Sequence, residues 1–282
     1  MPSATPNVVA ITGASGQVGR ALLARLAQGG KHPVAIVRRQ LALPATRIVV
    51  GKLSSPDACA ALKGADFIVH LAGTLHPGGR NTYSAANVES ARAVARAASA
   101  GQTRRILFLS YLGASTSSSN AYLSAKALAE QALIGSGKEV VIFRCSHIIG
   151  SPDSPGPMAV ALIAKPSGRA IVLGNGRQIA APVFIGDVTD ALLAALERGL
   201  PGVFDLTGPE RMSLDDLVRM LNQNADALIT HVPAWAARLM AYFVPGLPRA
   251  MVDVLLRASV GDPSSAVETF GMKLTPLSTI WR

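Results

Sequence analysis

A tyrosine and a lysine stand four residues apart in SYLGASTSSSNAYLSAK, residues 110–126. On a helix this spacing puts Tyr122 and Lys126 on one face, one turn apart, so both side chains reach a common ligand. A free phenol titrates at about 10, and a neighbouring ammonium favours the phenolate. Such a pair is suited to general acid/base work, taking a proton from an alcohol or giving one to a carbonyl oxygen. Ser110, at the start of the stretch, adds a hydroxyl able to hydrogen-bond the same oxygen.

A second stretch, ITGASGQVGRALL, carries different chemistry. Gly13, Gly16 and Gly19 follow an apolar run and open a helical pattern. Gly13 supplies the tight turn, Gly16 lets backbone approach a pyrophosphate, and Gly19 allows close packing of helix on sheet. The free N–H groups and positive dipole end of that helix then face the phosphates. Ser15, Gln17 and Val18 complete the loop as candidate cofactor contacts. The spacing is G-x-x-G-x-x-G rather than G-x-G-x-x-G, but its strand–turn–helix setting is that of a dinucleotide site. About twenty residues on, where an NAD site usually carries an acid, the chain reads VRRQ. Arg38 and Arg39 match a 2′-phosphate, so NADP(H) is favoured over NAD(H).

These groups need elements to position them. Apolar runs at 8–12, 33–37, 47–50, 66–72, 105–110 and 139–145 predict strands covered on both faces. Between them QVGRALLARLAQ, DACAALKG, NVESARAVARAASA and AYLSAKALAEQALIG predict helices. Gly29-Gly30, Gly64, Gly101 and Gly135 stand where C-caps are wanted. The alternation predicts an α/β fold with a Rossmann-like, doubly wound parallel sheet. After residue 150 the pattern changes. SPDSPGP reads as a loop, Asn175-Gly176 as a turn before an extended segment, and Asp187 as the N-cap of VTDALLAALERG. GVFDLTG adds a strand, and SLDDLVRMLNQ opens with Ser213 and Asp216 in a capping-box-like arrangement. The apolar helical tail is broken by Pro245 and Pro248. The expected division is a cofactor-binding unit of residues 1–150 plus about 182–206, and a smaller, mainly helical cap or substrate region of 151–181 and 207–282.

In these stretches the chain resembles the short-chain dehydrogenase/reductase superfamily, in its extended or atypical branch. The resemblance rests on TGASGQVG, HLAG at 70–73, Asn87 opening a helix, Ser110 at a strand end, Tyr122-x-x-x-Lys126, FRCSHIIG, VFIGDVTDAL and FDLTGPE. More narrowly, it is similar to NAD(P)-binding epimerase/dehydratase-like proteins and to bacterial relatives of the 39-kDa accessory subunit of respiratory complex I. The resemblance implies that Tyr122 is the acid/base, and that Lys126 binds the nicotinamide ribose and lowers the tyrosine pKa. It also places Leu71, Ala72 and Gly73 at the cofactor. Several positions depart from the superfamily pattern. Leu112 stands near the usual catalytic Ser or Thr, leaving Ser110 or Ser115 as substitutes. The 110–122 loop is short, Lys52 stands where relatives often carry an Asp, and Cys145 replaces a common proline beside Arg144.

Composition bounds the alternatives. With 49% apolar and 16% charged residues, the 282-residue chain can bury a full core. Cys59 and Cys145 are too few for a disulfide framework, which points to a reducing cytoplasm. The N-terminus lacks the basic region of a signal peptide, and no transmembrane run is expected. The net charge of +10 is spread as scattered arginines with few aromatics, so nucleic-acid binding is not expected. Histidines 32, 70, 76, 147 and 231 have no paired metal-ligand spacing, and no metal is expected. Ser110 lies outside any G-x-S-x-G elbow, which argues against a serine hydrolase. The serines at 115–119 read as a flexible loop over the site.

Two functions stand open. One is an NAD(P)-dependent oxidoreductase or epimerase/dehydratase-like enzyme acting on a small alcohol or carbonyl substrate. The other is a non-catalytic NADP(H)-binding subunit or sensor in a larger, membrane-associated assembly of respiratory type. The tail bearing Trp235, Met240, Tyr242, Phe243, Arg238, Arg249 and Arg257 reads first as a substrate cap. It leaves a subunit contact, peripheral membrane attachment or complex association open. Substrate, oligomeric state and partner are not specified by the sequence.

Overall fold

A computed structural model describes residues 7–29, 31–78, 82–164, 168–244 and 246–282. Gly30 and Pro245 lie outside the described residues. Six runs form most of a seven-stranded parallel sheet: β1 (Val8–Thr12), β2 (His32–Val37), β3 (Arg47–Val50), β4 (Phe67–His70), β5 (Arg105–Tyr111) and β6 (Glu139–Cys145). The strand Gly202–Leu206 joins the edge, giving the order Gly202–Leu206, β6, β5, β4, β1, β2, β3. The order reverses between β1 and β4, the crevice where ligands settle in open sheets of this kind. β4 is shorter than the expected 66–72, because Leu71–Gly73 leaves the sheet toward that crevice.

Local chemistry explains the helix starts. α1 (Gln17–Gln28) follows the glycine loop with no side-chain cap. α2 (Pro56–Lys63) has Ser55 Oγ accepting from Ala58 N and proline in its first turn, where a missing N–H is harmless. α3 (Ser90–Ser99) continues a π-helical turn, Ser84–Glu89. α4 (Ala121–Ile134) is capped by Asn120 Oδ1, which accepts from Tyr122 N at 3.0 Å and Leu123 N at 3.2 Å. Gly29, Gly64 and Gly135 occupy C-cap positions, and Gly101 follows one. The serine stretch before Asn120 is a hydrogen-bonded turn, with Ser118 N donating to Ser115 O at 3.1 Å and Asn120 N to Ser118 Oγ at 3.2 Å.

Both sheet faces are covered. One core packs α1, the helix Ile185–Glu197 and Phe270 against Ile11, Val69, Leu107 and Phe143. The opposite core packs α2, α3 and α4 against Ala10, Ile68, Ile106 and Phe108. A third cluster, with Ile149, Leu162, Val172, Leu217 and Trp281, gathers the C-terminal elements. Phe270 belongs to the C-terminal stretch yet meets Phe143 and Phe204 of the sheet edge-on, so that stretch returns to the first core.

Asp187 corrects one expectation. The helix Ile185–Glu197 starts after Phe184, leaving Asp187 inside its first turn and buried. Its carboxylate instead accepts from Thr275 N and Thr275 Oγ1, both at 2.7 Å. A carboxylate that anchors a segment 88 residues away satisfies its charge through tertiary contacts. Ser213 does cap the helix Leu214–Leu221, accepting from Asp216 N at 3.1 Å.

Candidate functional site

The glycine turn is fixed by what surrounds it. Gly13 has φ +68°, and a Cβ built there falls 2.6 Å from the Leu71 carbonyl carbon and the Ala72 nitrogen. No side chain fits between the β1 exit and the β4 exit. A Cβ on Gly19 would lie 2.6 Å from the Gly13 oxygen, so the first turn of α1 packs on the loop backbone itself. Gly16 is exposed at the N-cap, leaving the first N–H groups of α1 without a side-chain partner. Ser15 is exposed beside it, while Gln17 Nε2 is buried with no hydrogen-bond partner among the described residues.

Across the crevice, Gly73, Asn87 and Lys126 converge. A Cβ on Gly73 would lie 2.7 Å from Asn87 Oδ1 and 3.5 Å from Lys126 Nζ. Asn87 sits in the π turn and donates through Nδ2 to Thr74 O at 3.2 Å and Tyr83 O at 3.1 Å. Its Oδ1 is thereby turned away from both and has no partner among the described residues. π turns of this kind occur often at functional sites. Ser110 Oγ, near the end of β5, is likewise buried without a partner among the described residues. Unsatisfied polar atoms cost stability unless a ligand or water meets them. An exposed glycine turn across the sheet crevice from Gly73, with unmet polar atoms on Asn87 and Ser110 among the described residues, suits a dinucleotide.

Lys126 Nζ donates to Leu109 O at 2.8 Å and lies 4.6 Å from the Phe108 ring centroid. Burial lowers its pKa to about 8, with Cys145 and Glu130 acting in the opposite direction. The lysine therefore keeps its charge at neutral pH. Glu130, one turn further along α4, is occupied by Arg144, whose Nε and NH2 donate at 3.0 and 2.6 Å.

Tyr122 lies next to this group and is only 7% exposed. Its ring meets Tyr111 edge-on at 5.6 Å and Tyr83 at 5.9 Å. Ala250 and Val254 of the helix Arg249–Leu255 pack over the cluster, and Asn120 Nδ2 ties that helix down through Ala250 O at 2.9 Å. Here the electrostatics depart from expectation. Burial raises the Tyr122 pKa well above 10, and the neighbouring Tyr111, Cys145 and Tyr83 push the same way. The cost of desolvating a phenolate outweighs any pull from Lys126. Burial thus favours the protonated phenol.

His70 and His147, expected at strand ends beside the cofactor or core, lie there, and Tyr111 and the Asn87 side chain join them. His70 is fully buried, and its Nδ1 lies 2.7 Å from Thr12 Oγ1. Tyr111 OH is 3.2 Å from His147 Nδ1, two residues beyond β6. Asn87 was quoted for the helix it opens, not for its side chain. The apolar strand ends signalled His70 and His147, but the pairing depends on β4, β5 and β6 being neighbours. Arg38 and Arg39 are exposed just beyond β2. Thr12 and Ile36 are in register, so both arginines stand at the same sheet end as the glycine loop. Leu71 and Ala72 line the crevice half-buried; Val18 packs on the first core.

Comparison with known proteins bears on this geometry. The model described as NAD dependent epimerase/dehydratase family matches residues 9–206. "Ceramide reductase" of Caulobacter vibrioides is 32% identical over 211 residues, covering 73% of this chain and 66% of that protein. Subunit 9 of the mitochondrial NADH dehydrogenase (ubiquinone) 1 alpha subcomplex of Arabidopsis thaliana is 28% identical over 232 residues, covering 76% and 57%. The chain therefore spans about two thirds or less of these relatives. Among solved structures, MoeE5 in complex with UDP-glucuronic acid and NAD shares the fold, with a TM-score of 0.78 at 19% identity over 98% of this chain and 96% of that one. Since the matched region runs from β1 to the last strand of the sheet and holds the glycine turn, Tyr122 and Lys126, the chain belongs to the NAD dependent epimerase/dehydratase family, within the extended short-chain dehydrogenase/reductase superfamily.

Proposed function

We propose that the protein is an NADP(H)-dependent oxidoreductase or epimerase/dehydratase-like enzyme acting on an alcohol or carbonyl substrate. The observation that carries this reading is the burial of Tyr122 and Lys126 together on one face of α4, beside the unpartnered Asn87 Oδ1 and the glycine wall at Gly73. Gly13, Ser15, Gly16, Gln17, Val18 and Gly19 would hold the pyrophosphate side of the cofactor. Arg38 and Arg39 would take a 2′-phosphate, and Leu71, Ala72, Gly73 and Lys126 the ribose and nicotinamide side. When bound, the nicotinamide exchanges hydride with the substrate carbon. Tyr122, kept protonated by burial, would give its proton to the substrate oxygen as hydride reaches the carbon. Ser110 Oγ, free of partners, donates to the same oxygen. Residues 1–150 with about 182–206 form the cofactor unit in this reading, and the remainder closes over it.

A second reading has its own support. Tyr122 is roofed by Ala250 and Val254, and Leu112 stands where a catalytic Ser or Thr is usual. A chain that binds NADP(H) without turnover, inside a larger assembly, is consistent with both. Either way the two free cysteines suit a reducing cytoplasm. No helix among the described residues is long and apolar enough to cross a membrane. Peripheral attachment to a membrane or assembly through the C-terminal helices belongs to the same proposal.

The deciding experiment pairs cofactor-shifted melting with turnover. NADPH is expected to raise Tm more than NADH does. On a panel of carbonyl substrates, Tyr122→Phe is expected to lose about 10²–10⁴-fold in kcat while keeping the NADPH shift. Turnover untouched by Tyr122→Phe removes the acid role; a full NADPH shift with no turnover on any carbonyl selects the second reading.

A further inference from the structure

The helix Ala234–Phe243 is turned the wrong way round for a helix that meets only water. Its one buried residue is the small Ala237. Its large apolar residues face out: Trp235 is 71% exposed, Tyr242 67% and Phe243 77%, with Leu239 and Met240 beside them. Trp235, Leu239, Tyr242 and Phe243 fall at i, i+4, i+7 and i+8, which is one stripe of a helix. An apolar stripe usually faces a core; this one is uncovered.

Cations frame the stripe. Arg238 Nε lies 2.9 Å from Asp253 Oδ1, and Arg249 Nε lies 3.9 Å from the other oxygen of the same carboxylate. Arg249 NH1 also donates to Tyr242 OH at 2.8 Å, pinning the ring at the edge of the stripe. Arg257 is exposed and has no ion-pair partner among the described residues. Residues 233–258 thus hold three arginines against one aspartate, on a chain whose formal charge is +10.

We propose that this face docks on the surface of an anionic phospholipid bilayer, with the stripe in the headgroup region and Arg238, Arg249 and Arg257 against lipid phosphates. Charge decides between occupants. A second copy would bring two cationic faces together, whereas an anionic bilayer complements the face and accepts Trp and Tyr at its interface. A ten-residue helix is about 15 Å long and cannot span a hydrocarbon layer of about 30 Å, so the contact lies in the plane of the surface. The helix Arg249–Leu255 packs on the docked helix from inside and roofs Tyr122 through Ala250 and Val254. The bilayer contact therefore lies directly behind the roof of the site. This deepens the peripheral attachment proposed above and is independent of the role given to Tyr122.

The full chain is mixed with vesicles of phosphatidylcholine alone, and of phosphatidylcholine with phosphatidylglycerol. Cosedimentation is expected with the anionic vesicles only, weakening as salt rises. Trp235 supplies a built-in reporter, because the other tryptophan, Trp281, is buried and donates to Gly150 O. Its emission is expected to shift to the blue on binding. Trp235→Ser with Phe243→Ser is expected to weaken vesicle binding about tenfold or more while leaving the NADPH-induced melting shift intact. Phe243→Trp should restore binding. Absence of binding to anionic vesicles overturns the inference, as does binding unaffected by the double substitution. So does a concentration-dependent dimer abolished by those substitutions, which would assign the face to a second copy. Failure here with Tyr122-dependent turnover intact removes the docking surface and leaves the enzyme reading standing.

Discussion

Acid should destabilise this protein through one histidine more than through its surface charges. His70 is fully buried at the end of β4, its Nδ1 facing Thr12 Oγ1 on β1 and its Nε2 lying 3.4 Å from Ser90 Oγ on α3. Its ring stacks on Phe108 of β5 at 5.4 Å, and the Lys126 ammonium on α4 is the nearby charge. Burial first, and Lys126 second, lower its pKa from 6.5 to about 3. Between those two values the unfolded chain binds more protons than the folded one, so stability falls as pH falls through the window. At about pH 4.5, two units below the unfolded value, the loss is about 3 kcal/mol at 1.36 kcal/mol per unit. His147, lowered to about 4 by burial, adds a loss of similar size. Together they remove a large share of the 5–15 kcal/mol that holds a typical domain. Asp187 and Asp205 act oppositely, because burial raises their pKa and lets the folded chain take up protons first. A comparison of wild type with His70→Asn cancels these background terms. Urea unfolding at neutral pH and at about pH 4.5 should show the variant losing about 3 kcal/mol less than wild type over that interval. An equal fall in both proteins refutes the argument. Thr12 Oγ1 also accepts from Ala72 N at 3.4 Å, so NADPH binding is expected to weaken with acid in step with His70.

Other substitutions test other parts of the site. Gly13→Ala places a Cβ 2.6 Å from the β4 exit at a φ of +68°, and is expected to cost at least about 2 kcal/mol and abolish the NADPH-induced melting shift. Arg38→Ala with Arg39→Ala should weaken NADPH binding about tenfold or more, by loss of charge-assisted bonds, and leave NADH binding unchanged in calorimetric titration. Glu130→Gln breaks the pair between buried Glu130 and partly exposed Arg144 and should lower stability by about 1–3 kcal/mol in urea unfolding, with Glu130→Gln/Arg144→Gln recovering part of it.

Much of this was legible in the sequence because it depends on short-range pattern. The helix over 17–28 and the strands over 8–12, 47–50 and 139–145 follow their apolar periods and lie at the expected bounds. Gly13 was readable because a tight turn after a strand leaves few residue types able to adopt it. Asp187 misled for a related reason. A carboxylate at a helix start satisfies the local capping rule, but its partner, Thr275, is a tertiary neighbour that no local pattern announces.

The protonation state of Tyr122 shows why the chemistry of the pair was less legible than its existence. Spacing alone puts phenol and ammonium on one face of α4, and local electrostatics then lowers the phenol pKa. The structure reverses the sign, because the decisive influence is desolvation by residues far along the chain. Asn120 both caps α4 at Tyr122 N and reaches 130 residues on to Ala250 O, so the group that positions the tyrosine also holds its roof in place. Removing that roof exposes the phenol, and with water admitted the Lys126 charge competes on better terms. In the acid/base role proposed for Tyr122, the direction of proton transfer would depend on the position of the helix Arg249–Leu255 as much as on Lys126. A lysine four residues away marks a candidate acid/base pair; the helix Arg249–Leu255, packed over Tyr122, bears on which half of that proposed chemistry is ready.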